Sequence, residues 1–161
     1  MHIALNAHLL YFGESYRAAG ISRYISGLIQ GLQAVDGQNR YTVLLGNQPP
    51  PAGLFHAPGF RAAPTRLPTH RPLVRILWEQ FVQPWVLAGQ RPDLLHSLAF
   101  VSPLAWPGPS VVTIYDLSFL LYPERFQAAN RLYLSTLTRL SARRARRVVA
   151  ISQSTRADVV R

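Results

Sequence analysis

Polar side chains that could do chemistry recur where apolar runs end. Val111, Val112 and Ile114 lead into Tyr115 and Asp116, and Leu94 and Leu95 lead into His96 and Ser97. Ile3 and Leu5 lead into Asn6 and His8, and Val148 to Ile151 leads into Ser152. A carboxylate such as Asp116 can accept two hydrogen bonds from hydroxyl groups. It can equally turn its own loop through Asx-type bonds. The stretch Gly20-Ile21-Ser22-Arg23 precedes a helical pattern. Free N–H groups at a helix start favour an anion, and Arg23 adds a guanidinium suited to phosphate or carboxylate. The same stretch also reads as a turn glycine followed by a solvated arginine. Arg139, Arg143, Arg144, Arg146 and Arg147 put five arginines in nine residues. That density suits anionic lipid headgroups or nucleic acid, and it also suits a solvated helix face.

Composition excludes several chemistries. The chain has no lysine, and all 17 basic residues are arginine. A phosphate loop of the Walker type and Schiff-base catalysis both need lysine. There is no cysteine, so disulfides, thiol nucleophiles and thiolate metal sites are excluded, which fits a reducing compartment. The GxGxxG fingerprint is missing, which argues against a nicotinamide cofactor. The five histidines are scattered without HxxxH or HExxH spacing, so no metal is expected. No GxSxG elbow marks a serine hydrolase. A formal charge of +10 attracts polyanions. The opening MHIALNAHLL lacks a basic n-region and does not read as a signal peptide, and no apolar run is long enough to span a membrane.

The elements that must position these residues follow from periodicity. At 161 residues and 48% hydrophobic content, one domain with a sizeable core is expected. Residues 2–7 alternate and predict a strand. Ile21, Tyr24, Ile25, Leu28, Ile29 and Leu32 recur at three and four and predict an amphipathic helix ended by Asp36-Gly37. Tyr41–Leu45 predicts a second strand. Residues 47–72 hold seven prolines and read as a long exposed loop with a short strand near Leu54–His56. Pro72 suits the first turn of a helix that Pro84 kinks or ends. Strands are predicted over 92–98, 111–115 and 148–151, with a long helix over 124–146 and a last helix from Ser152 whose hydroxyls suit an N-cap. Strand and helix alternate, which predicts a Rossmann-like three-layer α/β/α domain with a mostly parallel sheet. Ligands in such sheets bind outside the carboxyl ends of the strands, where Asp116, His96, Ser97, Asn6 and Ser152 all fall.

Several stretches together resemble the amino-terminal half of GT-B glycosyltransferases of family 4, the group 1 retaining enzymes. Gly20-Ile-Ser-Arg23-Tyr24 is similar to that family's glycine-rich GIGRY loop, and Trp78-Glu79-Gln80 with Pro84 to its WEQ…P helix. Asp93-Leu-Leu-His96-Ser97 resembles its D-x-x-H-S strand, and Thr113-Ile-Tyr115-Asp116-Leu-Ser-Phe119 with Pro123-Glu124 its T-x-H-D-L-S-F…P-E run. Val148-Val-Ala-Ile-Ser152-Gln-Ser154 resembles its V-x-V-S-x-x-S strand. The motifs occur in the family's order and span nearly the whole chain. One departs: many members carry histidine where this chain has Tyr115. Tyrosine can still hydrogen-bond, but with an ordinary pKa of about 10 it is no base near neutral pH.

The resemblance implies one half of a GT-B fold over residues 1–161: the acceptor domain of a retaining hexosyltransferase-type enzyme that moves a sugar from a nucleotide-sugar donor to a glycan or lipid-linked acceptor. It implies Asp116 and Tyr115 at the catalytic cleft, and Gly20, Ile21, Ser22, Arg23, His96, Ser97 and Ser152 in substrate binding. The donor is a co-substrate held mainly by a second domain, with no cofactor. The E-x7-E pair of that second domain has no counterpart, because Glu14, Glu79 and Glu124 have no acid eight residues on. A fragment inactive alone is therefore expected, whose partners are its own donor domain and the acceptor. The expected location is cytoplasmic, peripheral at the inner face of the membrane through the arginines at 139–147. Self-association of an isolated half is a further expectation, and nucleic acid is not expected as a partner. The competing reading is a non-catalytic Rossmann-like module that uses its Arg-rich helix to bind anionic membrane or nucleic acid.

Overall fold

A computed structural model describes residues 1–13 and 20–161. The predicted loop at 9–19 therefore lies partly outside the described residues. Six strands form one parallel sheet in the order β3-β2-β1-β4-β5-β6. They are β1 (His2–Asn6), β2 (Arg40–Leu45), β3 (Phe60–Pro64), β4 (Leu94–Ser97), β5 (Ser110–Ile114) and β6 (Arg147–Ala150). This is the doubly wound Rossmann order, which reverses direction between β1 and β4.

Alternate residues of the central strands feed two cores. Leu5, Val43 and Leu45 pack with Ile25 and Ile29 of helix α1 (Ile21–Val35). Ala4, Leu44 and Leu95 meet Trp78 and Leu87 on the other helical layer. Ile114 packs with Leu117 and Phe119 in a third cluster that takes in Leu134, Ala142 and Val159. Fully burying a Leu, Ile or Phe side chain stabilises by roughly 1.5–3 kcal/mol, so these three clusters are what hold the sheet to its helices.

Helix α1 ends in a knot around Asp36. Its Oδ1 accepts from the amides of Gln38 and Asn39, and its Oδ2 accepts from Asn39 Nδ2 at 2.7 Å and the Tyr41 hydroxyl at 2.6 Å. The Tyr41 bond, then the Asn39 bonds, hold this carboxyl well below the usual range. The chain thereby turns directly from α1 into β2.

Two elements differ from the sequence reading. The short third strand lies at Phe60–Pro64, not at Leu54–His56. Gln33 of α1 satisfies the earlier segment: its Oε1 accepts from His56 and Ala57 amides and its Nε2 donates to Leu54 O. Gly59 lets the strand start where it does, since a Cβ there would lie 2.7 Å from Asn39 O. The long helix predicted over 124–146 is shorter, with a 3-10 turn at Pro123–Arg125 and then α5 (Ala128–Arg144), and a further short helix, α4 (Ser118–Leu121), precedes them. The break sets Phe126 against the third cluster, edge-on to Phe119 at 6.4 Å between centroids.

Pro72 does open a helix, α2 (Pro72–Leu77). Pro84 neither ends nor kinks the run in isolation. It lies in the first turn of α3 (Gln83–Gln90), and the irregularity sits just before it, as a π-helical turn over Trp78–Val82. Single π turns inside α-helices gather at functional sites. The last helix, α6 (Gln153–Val160), is capped by Ser152 as predicted, whose side chain accepts from the Thr155 amide.

Candidate functional site

The carboxyl edge of the sheet carries two polar groupings, one on either side of the β1/β4 reversal. The first is a cleft of about 400 Å³ over the ends of β1, β2 and β3. His8, Ser22, Asn47, Gln48, Thr69 and Arg75 are among its lining residues, and among the described residues no carboxylate is. Ile21 and Ser22 bring the start of α1 into this wall. The Ser22 hydroxyl accepts from the Tyr11 amide at 2.9 Å, so it pins the loop after β1 to the helix start. Gly20 is the N-cap residue with φ 53° and ψ −106°, a positive-φ conformation that side chains rarely adopt, and a Cβ there would meet nothing within 4 Å. Glycine is thus needed for the backbone angle and not for space. Arg23 is exposed one turn in.

Behind the cleft wall lies a buried polar cluster. The His8 ring sits 4.1 Å from the Trp78 ring, and its Nδ1 is 3.2 Å from Thr69 Oγ1. His8 is 6% exposed, and its buried Nε2 has no partner among the described residues. Burial, aided by Arg75, lowers its pKa to about 3, so the ring is neutral at pH 7. Glu79 is also 6% exposed. Asn6 Nδ2 donates to its Oε1 at 3.3 Å and the Tyr133 hydroxyl to its Oε2 at 3.5 Å. Desolvation raises its pKa to about 7, against the opposing pull of Arg75, Asn6 and Tyr133. The π turn explains the placement. One extra residue per turn rotates both Trp78 and Glu79 inward, while Gln83 follows on the same buried side and accepts from Asn6 Nδ2.

The second grouping surrounds the ends of β5 and β6. Tyr115 is buried, and its hydroxyl donates to Leu98 O at 2.8 Å. Burial, then Tyr24, pushes the phenol pKa up, which removes it further from base chemistry. Its ring meets Tyr24 of α1 edge-on at 5.3 Å, so it also ties the two groupings together. Asp116 is exposed, and its Oδ1 accepts from the Ser118 amide at 2.8 Å. That bond is the loop-turning Asx contact, and it leaves Oδ2 without a partner among the described residues. Ser152, at the end of β6, shares a hydroxyl bond with Thr155, whose Oγ1 donates to Tyr115 O at 2.7 Å.

His96 and Ser97 are spent inside the fold. His96 Nε2 lies 2.9 Å from Thr113 Oγ1 across β4 and β5, and burial lowers its pKa to about 4. Ser97 is fully buried and its hydroxyl accepts from Ser102 at 2.7 Å. Of the residues singled out in the sequence, the cleft gathers Ile21 and Ser22. Tyr115, Asp116 and Ser152 cluster beside it. Sequence reasoning missed Thr69 and Arg75 altogether. Glu79 stood in view within WEQ, but helical periodicity could not reveal that a π turn buries it.

A family model matches the chain: Glycosyltransferase Family 4, over residues 18–161. The chain belongs to glycosyltransferase family 4. The motifs that carried the resemblance all lie inside the matched span, which places a transferase-class Rossmann-like domain on the observed topology. No curated protein and no solved structure shows a significant match. Among the described residues, no helix of this family 4 chain is long and apolar enough to cross a membrane, and no group of acids and histidines could hold a metal.

Proposed function

We propose that this family 4 domain holds the acceptor while a sugar is transferred from a nucleotide-sugar donor with retention of configuration. The donor is bound mainly by a second domain facing the carboxyl edge of the sheet, and the reaction runs in the cytoplasm on a glycan or lipid-linked acceptor. The observation that carries this reading is the cleft at that edge, lined by no carboxylate among the described residues, walled by the start of α1 and backed by neutral His8.

The domain's groups bind and orient. The cleft amides and hydroxyls offer hydrogen bonds to acceptor oxygens. The helix start at Gly20, with Arg23 one turn in, favours a phosphate of donor or acceptor. Asp116 accepts from an acceptor or sugar hydroxyl through the oxygen its loop does not use. Tyr115 acts as a positioning residue, because its hydroxyl is committed to Leu98 O.

The test is Asp116→Ala in the protein together with its donor-binding domain. Transfer is expected to fall by about a hundredfold, as for loss of a positioned charged contact of roughly 3 kcal/mol, while loss of the Ser118 amide's acceptor lowers stability by only ~1 kcal/mol. Unaltered turnover would remove Asp116 from the site.

A further inference from the structure

A surface away from the cleft has no role in that reading. Along α2, the π turn and α3, four large apolar residues recur every fourth position and point outward. Leu73 is 75% exposed, Leu77 56%, Phe81 68% and Trp85 79%. Solvated helix faces are ordinarily polar, and scattered single hydrophobes do not form a continuous ridge of this kind. Beside the ridge runs an apolar groove of about 530 Å³, walled by Phe81, Pro84, Trp85, Leu87 and Trp106.

The surroundings of the ridge are basic. Between Gly37 and Pro92 the sequence holds six arginines and a single acid, Glu79, which is buried. Arg71 is exposed at the start of the run, and Arg91 is exposed at its end and lines the groove. Asp93, just beyond, accepts from the His2 amide. Trp106 also joins the groove to the Arg-rich end of α5, since it shares a small pocket with exposed Arg144. Arg139 and Arg143 are exposed on the same helix. An apolar ridge tipped by aromatics and rimmed by cations has the chemistry of an anionic lipid surface.

We propose that the ridge of Leu73, Leu77, Phe81 and Trp85 docks on an anionic bilayer, with Arg91 and Arg144 at its rim reaching lipid phosphates. This contact is independent of the transfer reading. It assigns the arginines of α5 an apolar partner instead of leaving them as a solvated face.

The experiment is co-sedimentation of this chain with phosphatidylcholine vesicles, with and without phosphatidylglycerol, read together with tryptophan emission. Trp78 is buried, while Trp85 is exposed and Trp106 half-buried in the same groove, so a blue shift on binding reports the docking face, and its loss in Trp85→Ser assigns it to Trp85. Binding to the anionic vesicles with a blue shift is expected. Phe81→Ser with Trp85→Ser should weaken it by ~tenfold or more, and Arg91→Ser with Arg144→Ser by ~tenfold on anionic vesicles. Absence of vesicle binding, or binding that the Phe81/Trp85 pair leaves unchanged, would overturn the proposal. A concentration-dependent dimer in sedimentation velocity that Trp85→Ser abolishes, without vesicle binding, would assign the ridge to a second copy instead.

Discussion

At the scale of single residues, Tyr115 shows how a polar group at a strand end can be structural. Its hydroxyl ties the end of β5 to the loop after β4 through Leu98 O. Tyr115→Phe keeps the ring contacts to Tyr24 and Phe100 and leaves that carbonyl without its donor. The expected cost is ~1–2 kcal/mol in denaturant unfolding. The pH dependence of transfer should not move, because a phenol pushed above its ordinary pKa takes no part in proton transfer near neutrality. A profile that loses a limb in the Phe variant would reverse the assignment. Glu79 and His8 are the opposite kind of residue. Both are buried polar groups with geometry that only the fold supplies, and both keep the less charged form that their surroundings favour.

At the scale of elements, the start of α1 depends on backbone conformation. Gly20 holds φ 53° ahead of the helix. Gly20→Ala places a Cβ on a residue with φ 53° and ψ −106°, outside the αL region, at an expected cost of ~1–3 kcal/mol, measured as a fall in thermal midpoint. Gly20→Asn should cost about as much, since the left-handed region that asparagine tolerates lies at positive ψ. An unchanged midpoint in either variant would show that the backbone angle does not require glycine. Helix α1 and the capped start of α6 were legible because their signals are local: three-four spacing in one, a hydroxyl N-cap in the other. The π turn was not legible. It leaves the residues helical and only shifts which of them face inward, and that shift is decided by Trp78 and Glu79 packing at the end of β1. Strand β3 was displaced from its predicted place for a related reason, as Gln33 satisfies the 54–57 backbone from a distant helix.

At the scale of the whole molecule, three buried groups give stability a definite pH dependence. His8 falls from 6.5 to about 3 and His96 from 6.5 to about 4, while Glu79 rises from 4.5 to about 7. A histidine with a depressed folded pKa stabilises above its unfolded pKa and loses that contribution as pH falls. A carboxyl with a raised folded pKa does the reverse, and its contribution is lost as pH rises towards 7. Between pH 4.5 and 6.5 the two histidines outweigh Glu79 by one proton, and His2, also lowered by burial, adds in the same direction, so stability should rise with pH by at least ~1.4 kcal/mol per unit. Asp36, with a lowered pKa, acts only below its ordinary 3.8, outside this window. Towards pH 7 the histidine and Glu79 contributions fade together, and the rise should level off. Denaturant titrations across this range check the shape. Glu79→Gln should steepen the rise by about one further proton, ~1.4 kcal/mol per unit; an unchanged slope would mean that Glu79 does not bind the extra proton.

The sequence by itself determined the alternation of strand and helix, the parallel α/β class and the set of strand ends at which polar groups collect, because these follow from local periodicity and turn chemistry. Its ordered motifs also pointed to the family. Tertiary structure alone decided which of those polar groups face the cleft. Ser97 and His96 were withdrawn into side-chain bonds within the sheet layer. Arg75 and Thr69 were brought to the cleft from a segment rich in proline, and Glu79 was buried against Asn6 from 73 residues away. Burial and the pairing of side chains distant in sequence are properties of the packed sheet, and no window of the sequence contains both partners.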